Sequence, residues 1–268
     1  MIRQAVLKVR HRQPRVGARK LQKHVNAELF VQGVQVGRDR LIELLRVWDL
    51  LIRPKKNYKR TTNSNHRFKV HKNLIKDKEP QRPNEIFVSD ITYIATCESY
   101  CYLFLVTDKY SHKIVGYDVN RSLGIEGALA ALEMALEQVD HQRPLIHHSD
   151  RGLQYCSHDY IRLLRKNKVG ISMTEDNHVY ENALAERVNG ILKTEFLGNT
   201  ANIPFSVVRG LIGETIEIYN KERLHMSLNY QTPQQVHLRE NQLRQSYGLY
   251  QHRGPMRILE PKQLNHFN

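Results

Sequence analysis

The sequence IFVSDITYIAT, residues 86–96, decides the fold, because it has the pattern of a strand that carries a carboxylate. Side chains alternate along a strand, so Asp90 shares a sheet face with Val88 and Thr92. A carboxylate among strand-forming residues must be hydrogen-bonded, paired or bound to a cation to offset its desolvation. Asp90 is therefore either a satisfied structural acid or part of a functional site.

Strand and helix patterns follow this segment in a definite order. Residues 100–107 and 113–119 predict two further strands and, with residues 86–96, an antiparallel meander. Helical spacing follows at 125–139, a short strand at 145–149, a helix at 160–166, a strand at 170–173, and helices at 180–196 and 205–220. This is the order of a ribonuclease-H-like fold, and it predicts an α/β domain with helices flanking one sheet.

Two further carboxylates lie where this order can bring them beside Asp90. Asp150 ends the apolar run of the fourth strand just before Gly152, and the carboxyl end of such a strand is well placed to face a cleft. Glu186 lies on the helix predicted at 180–196, on a polar stripe that we expect to face the cleft. The members of this stripe are Asn182, Glu186, Gly190 and Lys193. Taken singly, each acid fits a structural or solvated role equally well.

Other polar residues compete for roles in this site. Asp108 ends the second strand and is an alternative third carboxylate, with a structural turn as its other interpretation. His147 and His148 could act as ligands or general bases, but paired histidines at a strand end more often pack and hydrogen-bond.

The charge of the chain is unevenly distributed. Its 268 residues include 41 Lys and Arg and 27 acids, a formal net charge of +14. Residues 1–80 hold 21 Lys and Arg and 6 acids, whereas the rest hold 20 and 21. A polyanion is the natural partner of the basic part, since neutralised phosphates release condensed counterions. A merely soluble basic surface is the other interpretation.

The basic part divides into a helical domain and a linker. Residues 1–52 show three short helical patterns, with Gly33 between the second and third, which is typical of a helix-turn-helix or of a plain helical bundle. Residues 53–84, rich in Lys, Arg, Asn and Pro, predict a linker that tracks DNA. Residues 85–200 would form the core and 201–268 a helix and polar tail. Candidate DNA contacts are Arg38, Arg40 and Arg46 in the last helix and Lys55, Lys56, Lys59 and Arg60 in the linker.

Several classes of protein are excluded by composition. The sequence has no apolar run of the roughly 18 to 20 residues that span a membrane and no signal-peptide core, which predicts a cytoplasmic protein. Cys97, Cys101 and Cys156 are odd in number and lie in or beside predicted strands, which disfavours a disulfide framework. A zinc site is also disfavoured, because no second Cys or His pair completes a set of four ligands.

Four segments closely resemble the IS3 family of insertion-sequence transposases, in the product of the second open reading frame. They are VSDITY (88–93), HSDRGLQY (148–155), ENA (181–183) with Glu186 and LKTE (192–195), and the C-terminal set Tyr219-Asn220, Arg223, His225, Ser227-Leu228 and Thr232-Pro233. The likeness covers about residues 10–235. It departs at Glu181, where the family usually has Asp, and at Leu153, where a small polar residue is common.

The resemblance implies a DDE catalytic core of the retroviral integrase type, with Asp90, Asp150 and Glu186 as the acidic triad and Lys193 in contact with DNA. Hard carboxylate oxygens select Mg²⁺ or Mn²⁺, and two such ions about 3.5 to 4 Å apart serve phosphoryl transfer. Asp90 would bridge both ions, while Asp150 and Glu186 would each complete one. Further DNA contacts are expected from Arg151, Asn182, Arg223 and His225.

The implied activity is DNA cleavage and strand transfer at insertion-sequence ends, by attack of a 3′-hydroxyl on a phosphodiester. The implied partners are double-stranded DNA, as terminal inverted repeats and as target at the bacterial nucleoid, and further copies of the chain in a synaptic complex. A helix-turn-helix so near Met1 suggests end-recognition modules in an upstream frame product. Two alternatives stay open: a nuclease on the same fold, which would cut without joining, and a DNA-binding regulator with an inactive core.

Overall fold

The computed structural model describes residues 1–52, 69–140, 142–175 and 182–239. Several predicted features therefore lie outside the described residues: Lys55, Lys56, Lys59 and Arg60 of the linker, Glu181, the expected helix start near 180, and the tail from 240 onward. Across the described ranges, no helix is both long enough and apolar enough to span a membrane.

A five-stranded sheet forms the centre of the molecule, in the order β3-β2-β1-β4-β5. The pairing of β1 with β2 and of β2 with β3 is antiparallel, which confirms the predicted meander, whereas β4 and β5 run parallel to β1. The strands are β1 (Ile86–Ala95), β2 (Tyr100–Asp108), β3 (Ile114–Asn120), β4 (Ile146–Ser149) and β5 (Gly170–Met173). The strand that carries Asp90 is thus the central one, flanked on both edges.

Helices cover both faces of this sheet, as the α/β prediction requires. One face packs against α4 (Ile125–Leu136), α5 (Leu153–Cys156) and α6 (His158–Lys166). The other face packs against α7 (Ala183–Ile191), its π-helical continuation (Leu192–Leu197) and α8 (Phe205–Lys221). The catalytic acids, expected on β1, β4 and α7, therefore come from the sheet and from one of its two helical layers.

The predicted domain boundaries cut through packed structure. Ile75, assigned to the linker, is buried with Ile86 and Val88, and the Leu74 amide donates a hydrogen bond to Ser172 Oγ at 2.8 Å. At the other end, α8 shares a hydrophobic core with the sheet. The sheet domain therefore extends beyond 85–200 on both sides, because the sheet needs these flanking apolar residues to cover it.

Residues 1–52 form a helical unit with a core of its own. It contains α1 (Ile2–Arg12), α2 (Ala18–Leu29) and α3 (Arg38–Val47), which bury Val6, Leu21, Val25, Leu41 and Leu45. A 3-10 turn after α2 ends at Gly33, whose φ of +68° lies in the left-handed region that glycine adopts without strain. The three predicted helices and the turn at Gly33 are thus confirmed.

The helical unit is bonded directly to the sheet domain. The Arg15 amide donates to the Glu195 carbonyl at 3.1 Å, and Lys20 Nζ lies 3.1 Å from a carboxylate oxygen of the same Glu195. The Arg12 guanidinium pairs with Glu222, just after α8. These contacts place the unit against the π-helical turn and the end of α8, on the face of the sheet that carries α7 and α8.

Candidate active site

Asp90 lies in the middle of β1 and is tightly held. Its Oδ1 accepts the amide of Ile91 at 2.9 Å, and its Oδ2 accepts Nδ2 of Asn189 at 2.7 Å. Burial, followed by the negative charge of Asp150, raises the pKa of Asp90 to about 7. A carboxyl group whose ionisation is opposed in this way is a candidate functional group.

Asp150 lies beside Asp90 because of the register of the sheet. The residues that precede the two acids, Ser89 and Ser149, are partners in the parallel pairing of β1 with β4, and neighbouring strands lie about 4.8 Å apart. Asp150 Oδ1 accepts the amide of Gly152 at 2.9 Å, and a Cβ at Gly152 would come within 3.0 Å of that oxygen. Glycine therefore leaves the carboxylate room at the turn that follows β4.

Helix α7 brings Glu186 to the two aspartates. Asn182 Nδ2 donates to the Ser89 carbonyl at 2.9 Å, and Asn189 binds Asp90, so α7 is bonded to β1 on both sides of Glu186. Partial burial and the charge of Asp150 raise the pKa of Glu186, and the charge of Glu186 contributes to the raised pKa of Asp90. The structure thus brings all three predicted acids into one electrostatic cluster.

The three carboxylates are neighbours rather than a closed set of ligands. Within the part of the chain that the structure describes, no three His, Cys, Asp or Glu side chains are arranged to hold one metal ion. The raised pKa values of Asp90 and Glu186 reflect burial first and mutual repulsion second. A divalent cation with a preference for hard oxygen ligands would relieve that repulsion, so the donor set fits Mg²⁺ or Mn²⁺.

Lys193 lies at the border of the acidic cluster. Its Nζ is 4.5 Å from the centroid of the Tyr93 ring, which follows Asp90 by three residues on β1. Burial lowers the pKa of Lys193, and the charge of Asp90 opposes that shift. A cation in this position can meet a phosphate oxygen that enters the cluster.

Asn189 is a site residue that the sequence pattern did not reveal. The predicted stripe is partly wrong, since Asn182 is buried, as Asn189 is, whereas Glu186 and Gly190 are exposed. The helix meets β1 along Asn182, Ala185 and Asn189, so its contact line runs beside Glu186 and misses Gly190. The available signal was a single amide among the apolar residues Leu184, Ala185, Val188 and Leu192.

Asp108 has the turn role and is not a third carboxylate of the site. It is fully buried and accepts hydrogen bonds from the amides of Asn84 and Ser111, each at 2.7 Å. The Ser111 hydroxyl donates to the same carboxylate at 2.6 Å. These bonds hold the end of β2 and the turn into β3.

His147 and His148 have packing roles, as the more conservative interpretation proposed. His147 Nε2 lies 2.7 Å from Ser89 Oγ and 2.9 Å from the Tyr160 hydroxyl, and His148 Nδ1 lies 2.8 Å from Ser172 Oγ. Burial, and then the charge of His148, lower the pKa of His147 to about 3, so its ring stays neutral. His147 thus connects β1, β4 and α6 directly behind the acidic cluster.

Three predicted DNA contacts have structural roles instead. Asn182, Arg223 and His225 are only 5%, 5% and 6% exposed. The Arg223 guanidinium donates to both carboxylate oxygens of Glu195 at 2.9 and 2.7 Å, and its Nη1 lies 2.9 Å from His225 Nε2. These side chains therefore have no surface left for a phosphate, and they hold elements of the fold together.

The remaining basic candidates lie nearer the surface. Arg151 is half-buried, and its Nε donates to the Thr174 carbonyl at 2.7 Å. The α3 arginines are all exposed, with Arg38 paired to Asp39 and Arg40 to Glu43; the third is Arg46. Exposed pairs of this kind contribute little free energy and can exchange for phosphate. DNA contact by these four arginines stays a prediction.

The chain matches known proteins over both its sheet domain and most of its length. Residues 80–178 match a family model described as integrase core domain, and residues 167–233 match a second model of the same description. The chain is 39% identical over 238 residues to the 31 kDa protein of insertion element IS600 from Shigella sonnei, covering 85% of this chain and 84% of that protein. It is 30% identical over 210 residues to the transposase InsF of insertion sequence IS3A from Escherichia coli (strain K12), covering 78% and 73%.

The fold is also found among solved structures. A chain of the simian T-cell lymphotropic virus intasome, solved in complex with PP2A regulatory subunit B56 gamma, aligns with a TM-score of 0.50 and 17% identity over 91% of this chain and 76% of that chain. This likeness confirms the predicted integrase-type fold, and the sequence relatives confirm the resemblance to insertion-sequence transposases. The chain belongs to the IS3 family of insertion-sequence transposases, and it is a DDE transposase, a polynucleotidyl transferase that acts in DNA transposition.

Proposed function

We propose that this transposase cleaves DNA at the ends of its insertion sequence in a metal-dependent reaction and joins those ends to target DNA through attack of a 3′-hydroxyl. The observation that supports this is the electrostatic cluster of Asp90, Asp150 and Glu186, built from β1, the end of β4, and α7. Phosphoryl transfer requires an in-line nucleophile, a stabilised leaving oxygen and neutralised equatorial oxygens. Carboxylates contribute by holding cations, which neutralise the charge of the phosphate oxygens.

The three acids would divide two Mg²⁺ or Mn²⁺ ions among them, with Asp90 holding both and Asp150 and Glu186 completing one each. When bound, such a pair neutralises phosphate charge and activates the attacking oxygen. The chain orients the acids: the Gly152 amide fixes Asp150, and Asn189 fixes Asp90. A carboxylate has about four acceptor positions, so these bonds leave capacity for cations.

The basic side chains would bind the DNA on which the acids act. Lys193 would hold a phosphate near the scissile one, and Arg38, Arg40 and Arg46 on α3 would hold the terminal repeat as duplex DNA. Because the helical unit is bonded to Glu195, on the π-helical continuation of α7, DNA on α3 would keep a defined position relative to Glu186. Joining two ends requires two active sites in one assembly, so the active form would contain at least two copies.

The direct test is incubation of the protein with labelled element-end duplex in Mg²⁺ and, separately, in a chelator. We expect nicked and joined products only with Mg²⁺. A precleaved end then separates the alternatives, since a transposase joins it to a second duplex and a nuclease does not. Cutting without joining would favour the nuclease, and failure to cut in Mg²⁺ would favour the DNA-binding regulator.

Asn189→Ala should lower the cleavage rate about 10- to 100-fold, the range typical of residues that orient metal ligands. The substitution removes the amide that donates to Asp90 Oδ2 at 2.7 Å, so the carboxylate is no longer held in one orientation. The rate is measured across a Mg²⁺ titration, where excess metal should recover part of the loss. Asn167→Ala, at the end of α6, is the matched control, and equal rates for the two variants would show that Asp90 needs no such donor.

A further inference from the structure

The outer face of α6 and the segment beside it carry a strip of positive charge. A groove of about 530 Å³ runs along this face, lined by His158, Ile161, Arg162, Arg165 and Lys166. The exposed cations of what we call the α6 strip are Lys69, Arg162, Arg165, Lys166 and Lys168. On α6 itself these cations are accompanied by one acid, Asp159, whose Oδ1 lies 2.9 Å from Nη2 of Arg162.

This strip departs from the charge balance of its surroundings. The chain after residue 80 holds 20 Lys and Arg and 21 acids, yet residues 158–168 hold four cations and one acid. Lys69 adds to the same positive potential, because it and Arg165 act on one side chain, His71. Burial lowers the pKa of His71, and the charges of Lys69 and Arg165 lower that pKa further. The Leu74 amide, bonded to Ser172 Oγ on β5, holds this segment against the sheet domain.

The strip is also linked by hydrogen bonds to the strand that carries Asp90. On the inner face of α6, the Tyr160 hydroxyl lies 2.9 Å from His147 Nε2, and His147 lies 2.7 Å from Ser89 Oγ. Ser89 immediately precedes Asp90. A charged ligand on the outer face of α6 would therefore be held at a defined distance from the acidic cluster.

The α6 strip and the helical unit lie on opposite faces of the sheet. Helix α6 packs in the layer with α4 and α5, whereas the unit that carries α3 is bonded to Glu195 and Glu222 in the layer with α7 and α8. Duplex DNA held by α3 would approach the acids from one side. The sheet lies between that duplex and DNA bound on the α6 strip, so the two surfaces would hold two separate duplexes.

We propose that the α6 strip binds the phosphate backbone of target DNA, the duplex into which the element ends are joined. This inference rests on the proposed function. The nine residues of α6 span about 13 Å, enough to face several phosphates of one strand. Contacts to phosphate alone carry no sequence information, so the strip would bind target DNA of any sequence.

The test compares Arg165→Gln/Lys166→Gln with a control of equal charge loss on α8, Arg209→Gln/Lys221→Gln; all four residues are exposed. Binding of a random-sequence duplex is measured against salt concentration. We expect the slope of log affinity against log salt to become shallower by about 2 in the α6 variant, since each lost phosphate contact removes about 0.9. The control should keep the wild-type slope.

Two reaction assays complete the test. The α6 variant should cleave element-end duplex at the wild-type rate but join a precleaved end to target poorly, with recovery at high target concentration. Unchanged slope and unchanged joining would overturn the proposal, as would a change in oligomeric state, which would identify the strip as an interface between copies. Absence of Mg²⁺-dependent cutting by the wild type would instead defeat the proposed function, while the slope would still report whether the strip binds DNA.

Discussion

Asp90→Asn should abolish both cleavage and strand transfer while leaving DNA binding largely intact. The asparagine keeps the shape of the side chain on β1 but removes the charge and one of the two carboxylate oxygens. Metal ions supply several kcal/mol of transition-state stabilisation, and a loss of about 4 kcal/mol lowers the rate about 10³-fold. Product formation from labelled element ends measures the first effect, and a gel-shift titration measures the second.

The same substitution should raise the melting temperature of the metal-free protein. Burial and the charge of Asp150 both destabilise the ionised form of Asp90. A neutral amide has neither the desolvation cost of a charge nor the repulsion from Asp150. Gain of stability with loss of activity is expected where a charge that the fold destabilises serves function. Asp118→Asn, on β3 of the same sheet, is the control and should change neither property. Retained cleavage by Asp90→Asn would remove Asp90 from the triad.

The strands were predictable because each is a short run rich in β-branched, aromatic and other apolar residues that is bounded by turn residues. The predicted strands 86–96, 100–107 and 113–119 differ from β1, β2 and β3 by a single residue at their ends. The two aspartates were found for the same reason, since Asp90 lies on β1 and Asp150 directly follows β4. The four-residue helix α5 was missed because it is too short to show a helical period.

The roles of individual polar residues were harder to predict, because they depend on partners that are distant in sequence. Arginine is usually exposed, so the sequence alone assigns Arg223 to the surface. In the structure Arg223 is buried, because it pairs with Glu195, which lies 28 residues earlier in the chain. Asn189 was missed for a similar reason: the angle at which α7 crosses β1 selects which polar residue meets Asp90. The positions of motifs are local properties, whereas the contacts of their side chains are tertiary ones.

Arg223→Met should destabilise the fold more than any substitution in the acidic cluster. Glu195 receives Arg223 from the segment after α8 and Lys20 from α2, so one carboxylate joins three parts of the chain. The side chains of Arg223 and Glu195 are 6% and 22% exposed. Breaking a buried pair by removing one partner costs roughly 3 kcal/mol, which corresponds to a fall of about 6 to 12 °C in melting temperature. Arg209→Met, exposed on α8, is the matched control.

The same pair should give the stability a characteristic acid dependence. Burial alone would raise the pKa of Glu195, but hydrogen bonding and the charges of Arg223 and Lys20 outweigh it and hold the pKa below its usual 4.5. A carboxyl group with a lowered pKa stabilises the fold fully above the usual value and loses that contribution as the pH falls through the folded value. The free energy of unfolding of the wild type, measured in denaturant, should therefore decrease below pH 4.5. Arg223→Met should lack this part of the pH dependence. If Arg223→Met instead unfolds like Arg209→Met at neutral pH, the pair does not hold the fold together.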